Sequence, residues 1–427
     1  MSGLINGATS VAQAQHPTQI DSWEVVLINI VQKISLTPAQ YDLITDRYSN
    51  LQAILNVAED EILKDAHIFV QGSIGLKTTI KPAPEAEGDM VNVDADAIVL
   101  LPNAQNVDSK EVLDALTRRF EEGTRTSTPI KPLRRGIRIV YADENPGFHI
   151  DVTPARNARG NGQSAGYGNL EVPDRETGWK CSTPRDYSLW LENLAKLEIQ
   201  IIRKMADNKV LMDSATQDPL PLYEDYTEHN PLRATIKLLK RHRDQWALNS
   251  ESPEYRPISA VITTLAAKAY EKVYKESQAQ ALRPIEAIVK IIAYMPQFIT
   301  QTEDGFAVLN PMDKGENFAE KWNRPNGEGE SYREAFFEWH SQALESMKIG
   351  LYDLESQKNF EDRLIESFGI PRTFIQEQIR NVPDRSWTLP GRNSNVSLNT
   401  ISLGALAGTS STAASVHTST EPVGRLG

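Results

Sequence analysis

The sequence predicts an α+β protein of two lobes: a core mixing strands and helices, then a helical second part, then a tail. Three observations carry that expectation. Apolar residues repeat at helical spacing as far as about Asp65, at a spacing of two through the strand-like segments that follow, and at helical spacing again from Tyr187 onward. The last stretch keeps neither spacing and is rich in Ser, Thr, Gly and Ala.

The elements follow in order. Residues 1–16, MSGLINGATSVAQAQH, are small and polar and read as a flexible N-terminus. TQIDSWEVVLINIVQKI sets Trp23, Val26, Leu27, Ile30 and Ile34 on one helical face. TPAQ signals a second start, with Thr37 as cap, Pro38 at the first helical position and Gln40 completing a capping box. Tyr41, Ile44, Tyr48, Leu51 and Leu55 continue as a stripe on a long helix expected to end near Asp65. HIFVQGS, VDADAIVLLP, GIRIVYAD and FHIDVTP then read as strands, with SKEVLDALTRRFEE an amphipathic helix between the second and third. Residues 17–185 thus form the core with its N-terminal long helices. Residues 186–382, including LRATIKLLKRHRDQW, ISAVITTLAAKAYEKVY and IEAIVKIIAYM, form a helical domain. Residues 383–427 are rich in Ser, Thr, Gly and Ala and bury too little apolar surface to offset their ordering entropy, so a disordered tail is expected.

Bulk composition narrows the function. The chain has 427 residues, 40% hydrophobic and 24% charged, with 57 acids against 45 bases and a net charge of −12. A holder of long polyanions shows a basic excess, so no long nucleic acid is expected as a partner, whereas small metal-neutralised anions fit. Cys181 is the only cysteine, which excludes an intrachain disulfide and a cysteine-based zinc site. The 7 histidines show no metal-site spacing. No apolar run is long enough to span a membrane and no leader is visible, so a cytoplasmic protein is expected.

The chemistry begins at VNVDADAIVLLP. Asp94 and Asp96 lie two apart in a strand, so both carboxylates emerge on one face. Like charges that close repel, and a divalent cation between them relieves the repulsion. About twenty residues upstream a strand runs into Gly72 and Ser73. Glycine lets backbone approach a phosphate, and the hydroxyl and free N–H groups donate to it. Alone, Gly-Ser after a strand is a plain turn. A third acid, Asp151, interrupts the apolar strand FHIDVTP. Together these acids suit two Mg²⁺ ions that clamp a triphosphate during an in-line displacement, with Mn²⁺ able to substitute.

The order Gly-Ser, Asp-Ala-Asp, then a lone Asp on a later strand resembles the polymerase β-like nucleotidyltransferase superfamily. QGSIGLKTTIKP, VDADAIVLL, HIDVTPAR, VPDRETGWKCSTPRDYSLW, RPISAVITTLAAKAY and NPMDKGENFAEKW narrow the resemblance to the bacterial cGAS/DncV-like nucleotidyltransferases, or CD-NTases. The sequence departs from the family in APEAEGDMVNV, a longer and more acidic link than expected, and in the alanine between the paired acids.

That resemblance implies synthesis of a cyclic di- or trinucleotide messenger from nucleoside triphosphates in anti-phage (CBASS) signalling, read by a separate effector. It implies a polymerase β-like core with a second domain like that of poly(A) polymerases and oligoadenylate synthetases. Asp94, Asp96 and Asp151 become metal ligands and catalytic acids, and Gly72 and Ser73 hold the donor triphosphate. Lys237 matches a lysine, and Ser259 a serine, that contact donor phosphates in relatives, although a lysine on a charged helix is as often solvated. Tyr187 is better placed than Trp179 to stack on a base. Arg134, Arg135 and Arg138 either face the acceptor nucleotide or form an ordinary basic turn. In family operons a ubiquitin-activating-like enzyme conjugates the synthase through a small C-terminal residue, which here is Gly427. The rival readings are linear transfer, to RNA, a small molecule or a protein, and a binding module without catalysis, against which the intact acids speak.

Overall fold

Two large apolar clusters divide the described residues, one built on a sheet and the other on helices alone. The computed structural model describes residues 17–56, 58–123, 129–141, 147–158, 170–201, 230–303, 305–352 and 356–380. Residues 1–16 and 383–427, Gly427 among them, lie outside the described residues.

The chain opens with helix α1 (Pro17–Ile34) and helix α2 (Pro38–Asn56). The capping box expected at TPAQ is present: the Thr37 N–H donates to Gln40 Oε1 at 2.9 Å and the Gln40 N–H to Thr37 Oγ1 at 3.3 Å. Helix α2 stops short of the expected Asp65. Past it, Asp60 Oδ1 accepts from the Ile62 N–H at 2.9 Å, a local bond that competes with helix continuation.

Strands β1 (His67–Gln71) and β2 (Val93–Leu100) form an antiparallel pair. Helix α3 (Ser109–Gly123) follows, then strands β3 (Lys131–Pro132), β4 (Ile137–Tyr141) and β5 (Phe148–Asn157). The sheet order is β1-β2-β5-β4-β3, with β2 and β5 parallel. Strands β6 (Leu170–Asp174) and β7 (Gly178–Ser182), which the sequence pattern does not announce, extend the sheet from β5.

Burial explains which face each strand shows. Val93, Ala95, Ala97, Ile150 and Val152 pack against the stripes of α2 and α3. On the opposite face of β2, Ile98 and Leu100 sit in a small third cluster with Phe69 and Leu170, so this face is dry at one end. At its other end it presents Asp94 and Asp96.

The helical part comprises α4 (Pro184–Ala195), α5 (Pro231–Leu248), α6 (Ser259–Ser277), α7 (Pro284–Tyr294), α8 (Glu328–Ser346), α9 (Gln357–Phe368) and α10 (Arg372–Arg380). Short hairpins interrupt it, one of them pairing Leu309–Asn310 with Asp313–Asn317. None of the described helices is long and apolar enough to cross a membrane.

Helix α1 precedes the sheet in sequence yet packs among these later helices. Trp23 is its anchor: its indole N–H donates to the Met347 carbonyl at 2.7 Å and its ring meets Phe360 edge-on at 6.1 Å. A side chain at Gly350 would collide with that ring at 2.4 Å. Trp23→Ala removes a fully buried aromatic and should cost about 3–5 kcal/mol in urea unfolding. A cost below about 1 kcal/mol would show that α1 is not anchored here.

Candidate active site

Strand register brings the expected acids together. In the parallel β2–β5 pair, Asp96 stands opposite Asp151 and Asp94 opposite His149. Across the antiparallel neighbours, Gln71 faces Asp96 and Arg138 faces Asp151. The Asp94 side chain is 61% exposed, and that of Asp151 only 17%.

Gly72 turns the chain directly under the acids. Its φ of +61° is unfavourable for any side chain, and a Cβ there would lie 1.8 Å from Asp96 Oδ2. The glycine is needed for contact as well as conformation. Ser73 Oγ donates to the Asp94 carbonyl at 3.0 Å and accepts from Thr79 Oγ1 at 2.8 Å, which ties the turn to the acid strand.

Three partners that spacing alone did not assign complete the group. His149 Nε2 lies 2.9 Å from Asp94 Oδ1 and is almost fully buried, with Nδ1 making no hydrogen bond among the described residues. Arg138 grips Asp151 with both nitrogens, Nε at 2.7 Å and Nη2 at 2.9 Å. Lys240, buried on α5, donates to the Thr78 carbonyl at 3.1 Å and lines the same cavity as Asp94.

These charges set protonation. The protein packed around Asp94 opposes its ionisation even though the side chain is open on one side, but the His149 hydrogen bond and charge, with Lys240 and Arg138, outweigh that and hold the carboxyl below its ordinary value. Asp96 lies well above its ordinary value because of burial, then the charges of Asp94 and Asp151. Burial and Arg243 pull Lys240 down to about 8, against Asp244, Asp94 and Asp96.

The donor set fits a divalent cation. Ligand atoms of Asp94, His149 and Asp151 lie within 4.8 Å of one another, and Asp96 adds a carboxyl with a disfavoured charge that a cation would stabilise. The cavity beside them, about 560 Å³, is also lined by Ser73, Lys240, Arg243 and Ser259.

Other expected residues are distributed unevenly. Ser259 opens α6 at the cavity, its Oγ accepting from Arg243 Nη1 at 3.3 Å. Tyr187 is buried, its hydroxyl 2.8 Å from Thr264 Oγ1 and its ring edge-on to Phe318; it lines an adjoining smaller cavity. Lys237 does not join the site: its ammonium donates to Ser35 Oγ at 3.0 Å and it lines neither cavity. Helical phase turns Lys240, three residues on, towards the acids instead. Trp179 lies under the Arg156 guanidinium at 3.8 Å, a packing role. Arg134 and Arg135 pair with the buried Asp174, as a structural turn would, while Arg138 goes to the acids.

A mixed sheet with a Gly-Ser turn and acids on adjacent strands, faced by a helical layer, is the architecture of a polymerase β-like nucleotidyltransferase. Comparisons with known proteins agree. Residues 24–194 match the family model described as the Second Messenger Oligonucleotide or Dinucleotide Synthetase domain. The structure is similar to that of the Bradyrhizobium diazoefficiens CD-NTase CdnG in complex with GTP, with a TM-score of 0.57 at 17% identity over 84% of this chain and 97% of that one. The sequence is 24% identical over 262 residues to a c-di-GMP synthase of Roseivirga ehrenbergii, a match taking in 60% of this chain and 61% of the relative. The fold is therefore that of the CD-NTase CdnG, and residues 24–194 carry the likeness to the synthetase domain.

Two outcomes follow from the geometry. Gly72→Ala should lower nucleotide-dependent activity on the order of a hundredfold or more, through displacement of Asp96, and thermal melting with a product assay checks it. Because the folded pKa of Asp96 is raised, its contribution to stability is present at low pH and is lost as pH rises through that value, above the ordinary carboxylate range. Divalent metal should therefore stabilise the fold increasingly as pH rises, a gain lost in Asp96→Asn. Melting temperatures with and without metal across a pH series read it, and a metal effect that is flat with pH in the wild type would sink this assignment.

Proposed function

We propose that the protein is a Mg²⁺-dependent nucleotidyltransferase that joins nucleoside triphosphates and closes them into a cyclic di- or trinucleotide, a messenger read by a separate effector in bacterial anti-phage defence. The observation that carries this reading is the register placing Asp96 opposite Asp151, with Asp94 two residues away and the Gly72–Ser73 turn against them. The Roseivirga relative's name and the GTP in the CdnG structure support a cyclic product and a triphosphate substrate.

In this reading Gly72 and Ser73 hold the donor triphosphate, and Lys240 and Ser259 meet its charge from the helical side. Asp94, Asp96 and Asp151 hold two Mg²⁺ ions, for which Mn²⁺ can substitute; when bound, these ions lower the cost of deprotonating a ribose hydroxyl and of charge on the departing pyrophosphate. The ribose oxygen forms a bond to the α-phosphorus as the bond to pyrophosphate breaks, and Asp151 receives the hydroxyl proton. Arg138 must release at least one oxygen of Asp151 for that role. A second transfer within the linear product closes the ring.

The test is incubation with labelled ATP, GTP, CTP and UTP and Mg²⁺ or Mn²⁺, followed by phosphatase. A phosphatase-resistant product is expected from the wild type, reduced about a thousandfold or more in Asp94→Asn/Asp96→Asn. A product that phosphatase degrades, or label appearing on added RNA, would replace cyclisation by linear transfer.

A further inference from the structure

A cavity of about 160 Å³ adjoins the acid-lined one, and Ser73, Lys240 and Ser259 line both. Its other walls include Leu76, Pro184, Tyr187 and Phe318. Apolar and aromatic walls next to phosphate-binding groups suit a nucleobase, but stacking is indifferent to which base is held. Polar groups decide that.

The polar group that stands out is Glu316, on the hairpin strand Asp313–Asn317. Its Oε2 accepts from Asn310 Nδ2 at 2.7 Å. That amide also donates to Thr183 Oγ1 at 3.0 Å, while Asn310 Oδ1 accepts from the Met312 N–H at 2.9 Å. Asn310, 1% exposed, is therefore locked and serves to aim the carboxylate. Glu316 Oε1 makes no hydrogen bond among the described residues. Both lone pairs of Oε1 and one of Oε2 remain to accept.

A carboxylate accepts and does not donate. Among the four bases only guanine sets two donors side by side on its pairing edge, N1–H and the 2-amino group. Adenine and cytosine place a ring acceptor beside their amino group, and uracil flanks its single N–H with carbonyls, so each brings a lone pair against the carboxylate. We propose that Glu316 reads the base of the bound donor nucleotide and selects guanosine triphosphate. The proposal rests on the nucleotidyl-transfer reading and adds its base. In Glu316→Gln, Asn310 would hold the new amide oxygen and turn the amide NH₂ towards the guanine donors.

Calorimetric titration of the full-length protein with Mg²⁺ and the non-reacting α,β-methylene analogues of GTP, ITP and ATP tests it. ITP lacks only the 2-amino group. The wild type should bind the GTP analogue about tenfold or more tighter than either of the others. Glu316→Gln should bring the three within about threefold at an unchanged melting temperature. A wild type that binds the ITP or ATP analogue as tightly as the GTP analogue overturns the proposal without any variant, as does a folded Glu316→Gln that keeps the GTP preference. Either result leaves ring formation standing, because the product assay does not depend on which base is used. Failure to bind any of the three overturns both.

Discussion

The parallel pairing of β2 with β5 is the constraint on which the rest of the site depends. A parallel pair needs a crossover, and here the chain makes it through α3, β3 and β4 before returning as β5 beside β2. Only that return puts Asp151 against Asp96. Side chains alternate along a strand, so a slip of one residue would carry Asp151 to the core face and bring Ile150 or Val152 to the acids. The apolar residues of β5 prevent the slip, because Ile150 and Val152 are packed with Val93, Ala95 and Ala97 under α2 and α3. The geometry of the acid cluster is thus held by the hydrophobic packing on the other side of the sheet.

Much of this was legible. The i, i+2 rule placed Asp94 and Asp96 on one face, the switch of period located the strands, and the capping box at Thr37 appears as read. The same rule applied to β5 puts His149, two residues before Asp151, on the same face, but a single histidine in an apolar strand has no spacing to mark it as a partner of acids on another strand. Lys240 is a different kind of miss. A helix in which most side chains are buried has no polar face to set its rotation, so sequence offers no reason to prefer Lys240 over Lys237. The hairpin that carries Glu316 was hidden as well, since its strands are too short to establish a period of two and lie within helical sequence.

Helix α5 shows why rotation matters. Arg233, Lys237, Lys240, Arg241 and Arg243 are all buried there; Arg233 pairs with Glu192 and Arg243 with Asp244, whereas Lys237, Lys240 and Arg241 bond to hydroxyls and carbonyls. Lys240 reaches the Thr78 carbonyl and Arg241 those of Lys81 and Pro82, so the helix is bonded to the segment that links the Gly-Ser turn to β2. Charge buried against neutral acceptors is costly, and the cost is visible in Lys237, pushed down to about 7 by burial first and then by Lys240 and Arg233, and in Arg241, pushed to about 10 by burial.

A triphosphate entering beside Ser73 would bring several negative charges to Lys240 and Arg243, which line that cavity. Those cations are poorly solvated beforehand, so little water must be stripped from them when the anion arrives, and their attraction acts at low dielectric. The acids opposite obey the reverse logic. Asp96 resists ionisation because burial and the charges of Asp94 and Asp151 outweigh the relief from Lys240 and Arg138, whose side chain is bonded to Asp151, while His149 is bonded to Asp94. On one wall of the cavity Lys240 meets only a carbonyl among the described residues, and on the other Asp96 is a carboxyl whose charge is disfavoured. A nucleoside triphosphate carrying its own divalent cations satisfies both walls at once, whereas the bare anion or the bare cation satisfies only one.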